Sequence, residues 1–430
     1  MPKQMESAFK RLILEIAPSE NEIKEEKAFA NSLIKRIKSH LPKNSRALLA
    51  GSVAKGTFLK DSKDVDIFLL FSKSVEKEKF EGIVKKIAAK TFPTEKKETH
   101  YAEHPYVRIK FGNRKMDLVP AYDIKTAEEK ASAVDRSVLH TKYILRKLQN
   151  SKRADVLLLK KLFKANGLYG AEIRVEGFSG YLCELLIIKY GSFINAMRAM
   201  VKWRIPVVID IEKHYPTATL PMEKFRLSPL IVIDPVDKQR NVSAIVSEAN
   251  IKRAKTIAKK IISGNIGVFS GSEKEFKEKE LKKMMKTGTI YALSFPKPNI
   301  VDDILWGQMK RFSKNIVTGL EHLEFKVKNI LLREENKTCE LYFGLKEDEL
   351  GPKMLLKGPP IRNDLKKNVV TFKKAHKKAR FVKKSGHIFA IVKRRIITAN
   401  DAFKLILSKE QNVPSHISVA NIKIKKIEKN

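Results

Sequence analysis

Cysteine is almost absent. The chain has two, Cys183 and Cys339, far apart in sequence. That excludes a disulfide scaffold and a four-cysteine zinc site, and it fits a reducing, cytoplasmic setting. Long apolar runs are missing too. The best one, Tyr181–Tyr190, is broken by Glu184 and Lys189, well short of the roughly 18 residues of a membrane span. The N-terminus carries Glu6 and soon reads as an amphipathic helix, so no signal peptide is expected. Internal repeats, heptads and low-complexity tracts are lacking, apart from lysine clusters. Acidic residues are in short supply: 48 Asp and Glu against 87 Lys and Arg, a formal charge of +39. A polyanion is the default partner of such a chain, with a lysine-rich proteome as the alternative source of the charge.

The 430 residues, 43% of them hydrophobic, can fill several cores, and the length suggests two to four domains. Ser19 and Glu22 form a capping-box pair before Ile23, Phe29, Leu33, Ile37 and Leu41 at helical spacing. Short apolar segments at 46–50, 64–71, 106–111 and 114–122, with a Gly112–Asn113 turn signal between the last two, predict a small α/β head around an antiparallel or mixed sheet. From about Ser137 helical periodicity takes over, with a strand-like Leu230–Ile233 and a helix expected over 244–262. The last part reads as strand, helix, strand, strand, helix, strand with a long basic insertion, an order that suits a ferredoxin-like or RNA-recognition-type sheet. Its final strand is expected over 416–424. We expect boundaries at 1–135, 136–270 and 271–430, with the insertion at about 346–398.

The informative segment is Gly51-Ser52-Val53-Ala54-Lys55-Gly56-Thr57, followed by Asp64-Val65-Asp66-Ile67. A Gly-Ser pair between a strand and a helix leaves backbone N–H groups free for phosphate oxygens. Asp64 and Asp66, two apart on a strand, point to one face. Two such carboxylates repel unless cations neutralise them, and hard oxygen ligands suit Mg²⁺ with a triphosphate. Asp117, between Met116 and Leu118, supplies a third carboxylate from a neighbouring strand. Each motif alone is short, and an Asp-x-Asp pair can be a solvated strand end. Aspartate disfavours strands, however, and here two open an apolar one.

This pattern resembles the DNA polymerase β-type nucleotidyltransferase superfamily. The runs from Lys160 to Glu172 and from Gly177 to Leu186, with Asp234-Pro235-Val236-Asp237, Arg240-Asn241-Val242 and Lys297–Asp303, resemble the archaeal class I CCA-adding enzymes. The likeness runs from the first helix to about residue 400. The chain lacks the Gly-Gly-x-x-Arg-Asp and basic-basic-Asp signatures of the class II enzymes. The resemblance implies a nucleotidyltransferase head, a mainly helical central domain completing the nucleotide site, and an RNA-binding body. It implies addition and repair of CCA at the 3′ end of tRNA from CTP and ATP, without a template. Asp64, Asp66 and Asp117 would be the catalytic metal ligands for Mg²⁺. Ser52, Lys55, His140, Lys160, Tyr169 and Arg240 would bind nucleotide, Arg240 reading the base; Lys55 stands where the family often has arginine. Taken singly, His140 could instead pack, Tyr169 could cap a core and Lys160 could face solvent. Lys373, Lys374, Lys377, Lys378 and Arg380, with Phe372 and Phe381 interleaved, would contact RNA phosphates, a solvated loop being the alternative. Rival readings are a poly(A) polymerase-like adenylyltransferase and a catalytically dead RNA-binding relative. The sequence leaves the oligomeric state, a homodimer included, open.

Overall fold

The computed structural model describes residues 3–101, 105–271 and 273–427. They form two compact units, Met1–Phe276 and Lys277–Asn430, so the head and central segments share one unit.

The first unit opens with α1 (Lys3–Ile16) and α2 (Glu20–Lys38). The Ser19 hydroxyl accepts from the Glu22 N–H, and the Glu22 carboxylate accepts from the Ser19 N–H, so the capping box sets the start of α2. Then come β1 (Arg46–Ala50), α3 (Gly51–Lys55), β2 (Asp64–Phe71), α4 (Phe80–Thr91), β3 (Lys96–Tyr101), β4 (Pro105–Phe111) and β5 (Arg114–Tyr122). The strands make one mixed sheet in the order β1-β2-β5-β4-β3, in which only β2 and β5 run parallel. Val65, Ile67, Leu69, Met116 and Leu118 are buried beneath it with α2 and α4. Their alternation forces Asp64, Asp66 and Asp117 onto the other face.

The unit continues with α5 (Arg136–Lys147), α6 (Arg153–Ala165), α7 (Gly180–Tyr190), α8 (Phe193–Lys202), β6 (Val207–Ile209), α9 (Thr219–Lys224), β7 (Leu230–Asp234), β8 (Asp237–Asn241) and α10 (Glu248–Ile262). Strands β6, β7 and β8 form a small sheet. The α6–α8 and α10 faces close one large core with α1. Ser247 caps α10 through its hydroxyl, so the helix begins four residues later than the periodicity predicts.

Helix α11 (Glu273–Thr287) leads to the second unit: β9 (Thr289–Pro296), α12 (Asp302–His322), β10 (Val327–Glu335), β11 (Thr338–Leu345), β12 (Lys353–Pro360), α13 (Lys366–Ala375), β13 (Arg380–Lys384), β14 (His387–Lys393), α14 (Ala399–Leu407) and β15 (Lys423–Ile427). One sheet has the order β10-β11-β9-β15, all pairs antiparallel. The segment between β11 and α14 forms a second sheet, β12-β14-β13, with α13 upon it. One expectation needs correction. The last strand starts only at Lys423, because Pro414 and two single-turn helices occupy the stretch before it. The Gly- and Pro-punctuated 353–360 is a strand; it lies at a sheet edge, where proline is tolerated.

Candidate active site

Strand β1 ends at Ala50, and Gly51 turns the chain with φ +68°. A Cβ at Gly51 would overlap the Asp66 carboxylate, so only glycine lets the turn lie against β2. Ser52 follows on α3, half-buried. Asp66 and Asp117 are directly paired across the parallel β2–β5 ladder, and Asp64 lies two residues away on the same face. Burial, then the charges of Asp117 and Asp64, push the Asp66 carboxyl up to about 7. Three crowded carboxylates are a donor set that fits a divalent cation, which would relieve that repulsion. Among the described residues, no three Asp, Glu, His or Cys side chains yet converge closely enough to hold one. The Asp117 carboxylate is turned onto Arg108, which donates to it from Nε at 2.7 Å and from a terminal nitrogen at 2.6 Å.

Lys55 and Lys160 lie together but are not open to solvent. Both are buried, and both turn to Glu184 of α7, which is fully buried. Lys55 Nζ donates to its Oε2 at 2.6 Å and the Thr57 hydroxyl to its Oε1 at 2.5 Å. Lys160 Nζ lies 3.4 Å from Oε1 and donates to the Thr57 carbonyl at 2.8 Å. Burial opposes charge on Glu184, but the two lysines outweigh it and hold the carboxyl below its usual range. Burial draws Lys55 down. Gly180, bare of a side chain, leaves room for the Tyr169 hydroxyl and Lys160 Nζ against the start of α7.

A third cluster surrounds Asp234, the buried last residue of β7. Its Oδ2 accepts from Arg240 at 2.8 Å and lies 2.8 Å from His140 Nε2; its Oδ1 accepts from the Tyr181 hydroxyl at 3.2 Å. The His140 ring stacks on Tyr181 at 4.1 Å. Burial favours the neutral form of His140 against the pull of Asp234. Burial raises Asp234, yet His140 and Arg240 win and hold it well below the carboxylate range. Helix α5, which carries His140, packs on α3, linking this cluster to the Gly-Ser turn. A hollow of about 540 Å³ flanks α5, lined by Lys142, Tyr143, Arg146, His214 and Val236, and not by the three aspartates.

In the second unit Lys373, Lys374, Lys377, Lys378 and Arg380 are all exposed, around the end of α13 and the start of β13. Phe372 and Phe381 pack on each other at 6.2 Å, and a side chain at Gly358 would strike the Phe372 ring. Both rings are half-buried.

Arg108, Glu184, Asp234 and Tyr181 receive no role from the sequence, although the last three lie within the quoted runs Gly177–Leu186 and Asp234–Asp237. Arg108 leaves a signal in the strand register. With Gly112–Asn113 as a two-residue turn, Phe111 faces Arg114, and counting back puts Arg108 opposite Asp117, the register observed. Glu184 and Asp234 meet partners 129 and 94 residues away, beyond any local pattern.

Three family models match: a nucleotidyltransferase domain over residues 30–140, a tRNA nucleotidyltransferase second domain over 154–269, and a CCA-adding enzyme C-terminal domain over 286–424. Similar proteins include CCA-adding enzymes of Methanocaldococcus jannaschii (33% identity, 98% of this chain and 95% of that one), Sulfurisphaera tokodaii (34%, 92% and 90%) and Archaeoglobus fulgidus (31%, 93% and 89%). Among solved structures, Cid1, described for its RNA terminal uridylyl transferase activity, superposes with TM-score 0.51 at 15% identity, over 63% of this chain and 99% of that one; this is a likeness of fold.

Proposed function

The chain belongs to the CCA-adding enzyme family and is a tRNA nucleotidyltransferase that adds CCA without a template; from that premise we propose which of its residues do the work. The carrying observation is the in-register pair Asp66 and Asp117, with Asp64 on the same face, beside the Gly51–Ser52 turn. The reaction is attack of the tRNA 3′-hydroxyl on the α-phosphate of CTP or ATP, with pyrophosphate leaving. Mg²⁺ ions bound by Asp64, Asp66 and Asp117 would supply charge neutralisation and a lower pKa for the attacking hydroxyl. Ser52 and the amides of α3 hold triphosphate oxygens. Lys55 and Lys160, tied to Glu184 and Thr57, fix α3 against α6 and α7 and set positive charge behind the turn; Tyr169 lies beside Lys160. His140, Tyr181 and Arg240 form the base and sugar side, with Arg240 held by Asp234 and its planar fork free to donate to base acceptors.

We read residues 136–270 as the mainly helical central domain and the β10-β11-β9-β15 sheet with α12 and α14 as a ferredoxin-like RNA-binding body. The exposed lysines at 373–378 and Arg380 contact tRNA phosphates by charge and shape. Two buried free thiols fit work in the cytoplasm; among the described residues no helix is long and apolar enough to cross a membrane.

The test is incorporation of labelled CTP and ATP into tRNA lacking its CCA end. Ordered addition of both is expected, and Asp64→Ala, Asp66→Ala and Asp117→Ala each abolish it while tRNA binding persists. Incorporation of ATP alone would overturn the substrate assignment, and turnover by any of the three variants would overturn the carboxylate roles.

A further inference from the structure

Successive partners across four strands of the head sheet carry charge in the order Asp66, Asp117, Arg108, Glu98. Glu98, on β3, is taken up by Lys110 at 2.8 Å and Lys96 at 3.2 Å. Arg108 therefore turns inward, and among the described residues its one ion pair is the fork onto Asp117. Both residues are largely shielded, with 25% and 12% of their side chains exposed. Each Asp117 oxygen already accepts a charge-assisted bond, the kind that is short and strong. A divalent cation shared with Asp66 would have to share an oxygen with that fork or displace one of its arms.

We propose that Arg108 is a positioning residue that competes with the divalent cation for Asp117. It acts as the standing counterion of the carboxylate row. It keeps the bare site weak for metal, so that cations are held firmly only when a nucleotide's phosphates supply the further ligands. The proposal rests on the metal reading of Asp64, Asp66 and Asp117.

The test is Mn²⁺ binding to the full chain, followed by electron paramagnetic resonance and calorimetry, without and with CTP and in the absence of tRNA. Arg108→Gln keeps polarity and loses charge; Arg108→Lys keeps charge and cannot fork. Without nucleotide, Arg108→Gln should bind Mn²⁺ roughly tenfold more tightly than wild type, the scale of one charge-assisted bond removed from competition. Arg108→Lys should fall between them, and CTP should narrow the gap. Equal or weaker binding by Arg108→Gln, with wild type still binding Mn²⁺ in the presence of CTP, overturns the role of Arg108 alone, since a merely structural arginine would leave affinity unchanged or reduced. If wild type with CTP binds no Mn²⁺ that Asp117→Asn removes, the metal reading itself fails, and the proposal with it.

Discussion

Asp66→Asn should stabilise the metal-free protein in alkaline solution, because it removes a charge that the fold holds at a cost. The folded carboxyl titrates near 7, while an aspartate in an unfolded chain titrates near 3.9. The folded state thus binds the proton more tightly. Its stability is greatest below the unfolded value and is lost as pH rises towards 7 and beyond. A difference of about three pKa units at 1.36 kcal/mol each gives a penalty of about 4 kcal/mol at pH 8, and about 1 kcal/mol at pH 4.5. Asparagine escapes it. For a unit of this size the gain corresponds to roughly 5–10 °C. Scanning calorimetry in EDTA at pH 4.5, 6, 7 and 8 measures it, with the transition of the first unit followed separately from that of the second. Mg²⁺ should raise the wild-type transition at pH 8 and leave that of the variant nearly unmoved. A variant less stable than wild type at pH 8, or a difference independent of pH, would refute the argument from crowded carboxylates.

Gly51→Ala forces a left-handed alanine, costing roughly 1–2 kcal/mol, and drives its methyl into the Asp66 carboxylate; single-turnover CTP incorporation should fall on the order of 100-fold with tRNA affinity kept, and near-normal turnover would refute the fit. Glu184→Gln leaves Lys55 and Lys160 buried without their carboxylate and should destabilise the first unit by about 3–5 kcal/mol at pH 7, seen as a lowered thermal transition; an unchanged transition would show that the lysines find other partners. Reversing charge at Lys373, Lys374, Lys377 and Lys378 should weaken tRNA binding and reduce the salt slope by about one for each phosphate no longer neutralised, with CTP affinity unaltered; an unchanged slope would make the insertion a bystander.

The parts legible in the sequence are those written locally. The capping box at Ser19, the Asp-x-Asp strand, the Gly112–Asn113 hairpin and helix α7 are each fixed by neighbours within a few residues. What stayed hidden depends on closure of the chain. The β3 strand, Lys-Lys-Glu-Thr-His-Tyr, is polar because it lies at an edge and pairs on one side only. Helix α13 hides within a lysine-rich run, and its Phe372 gains meaning only once Gly358 leaves space for the ring. In the site the same division holds. The aspartates announce themselves by spacing, whereas the contacts of Lys55 and Lys160 with Glu184, far along the chain, leave no mark in any local pattern.

The insertion between β11 and α14 has stems that meet. Glu349 bridges Thr398, the Leu350 N–H donates to the Ile397 carbonyl at 2.9 Å, and the Ala399 N–H donates to the Asp348 carbonyl at 2.8 Å. Arg394 pins the outgoing stem to the Leu323 carbonyl and to Glu324 just beyond α12. The segment 350–397 therefore leaves and rejoins the body at one place. Its two ends are already side by side, so its length adds little to the entropy of closing the larger fold. A short turn joining Glu349 to Thr398 should leave the four-stranded sheet and its core standing, and lengthening or recharging the segment should alter which RNA surfaces the protein reaches without rebuilding the body that carries it.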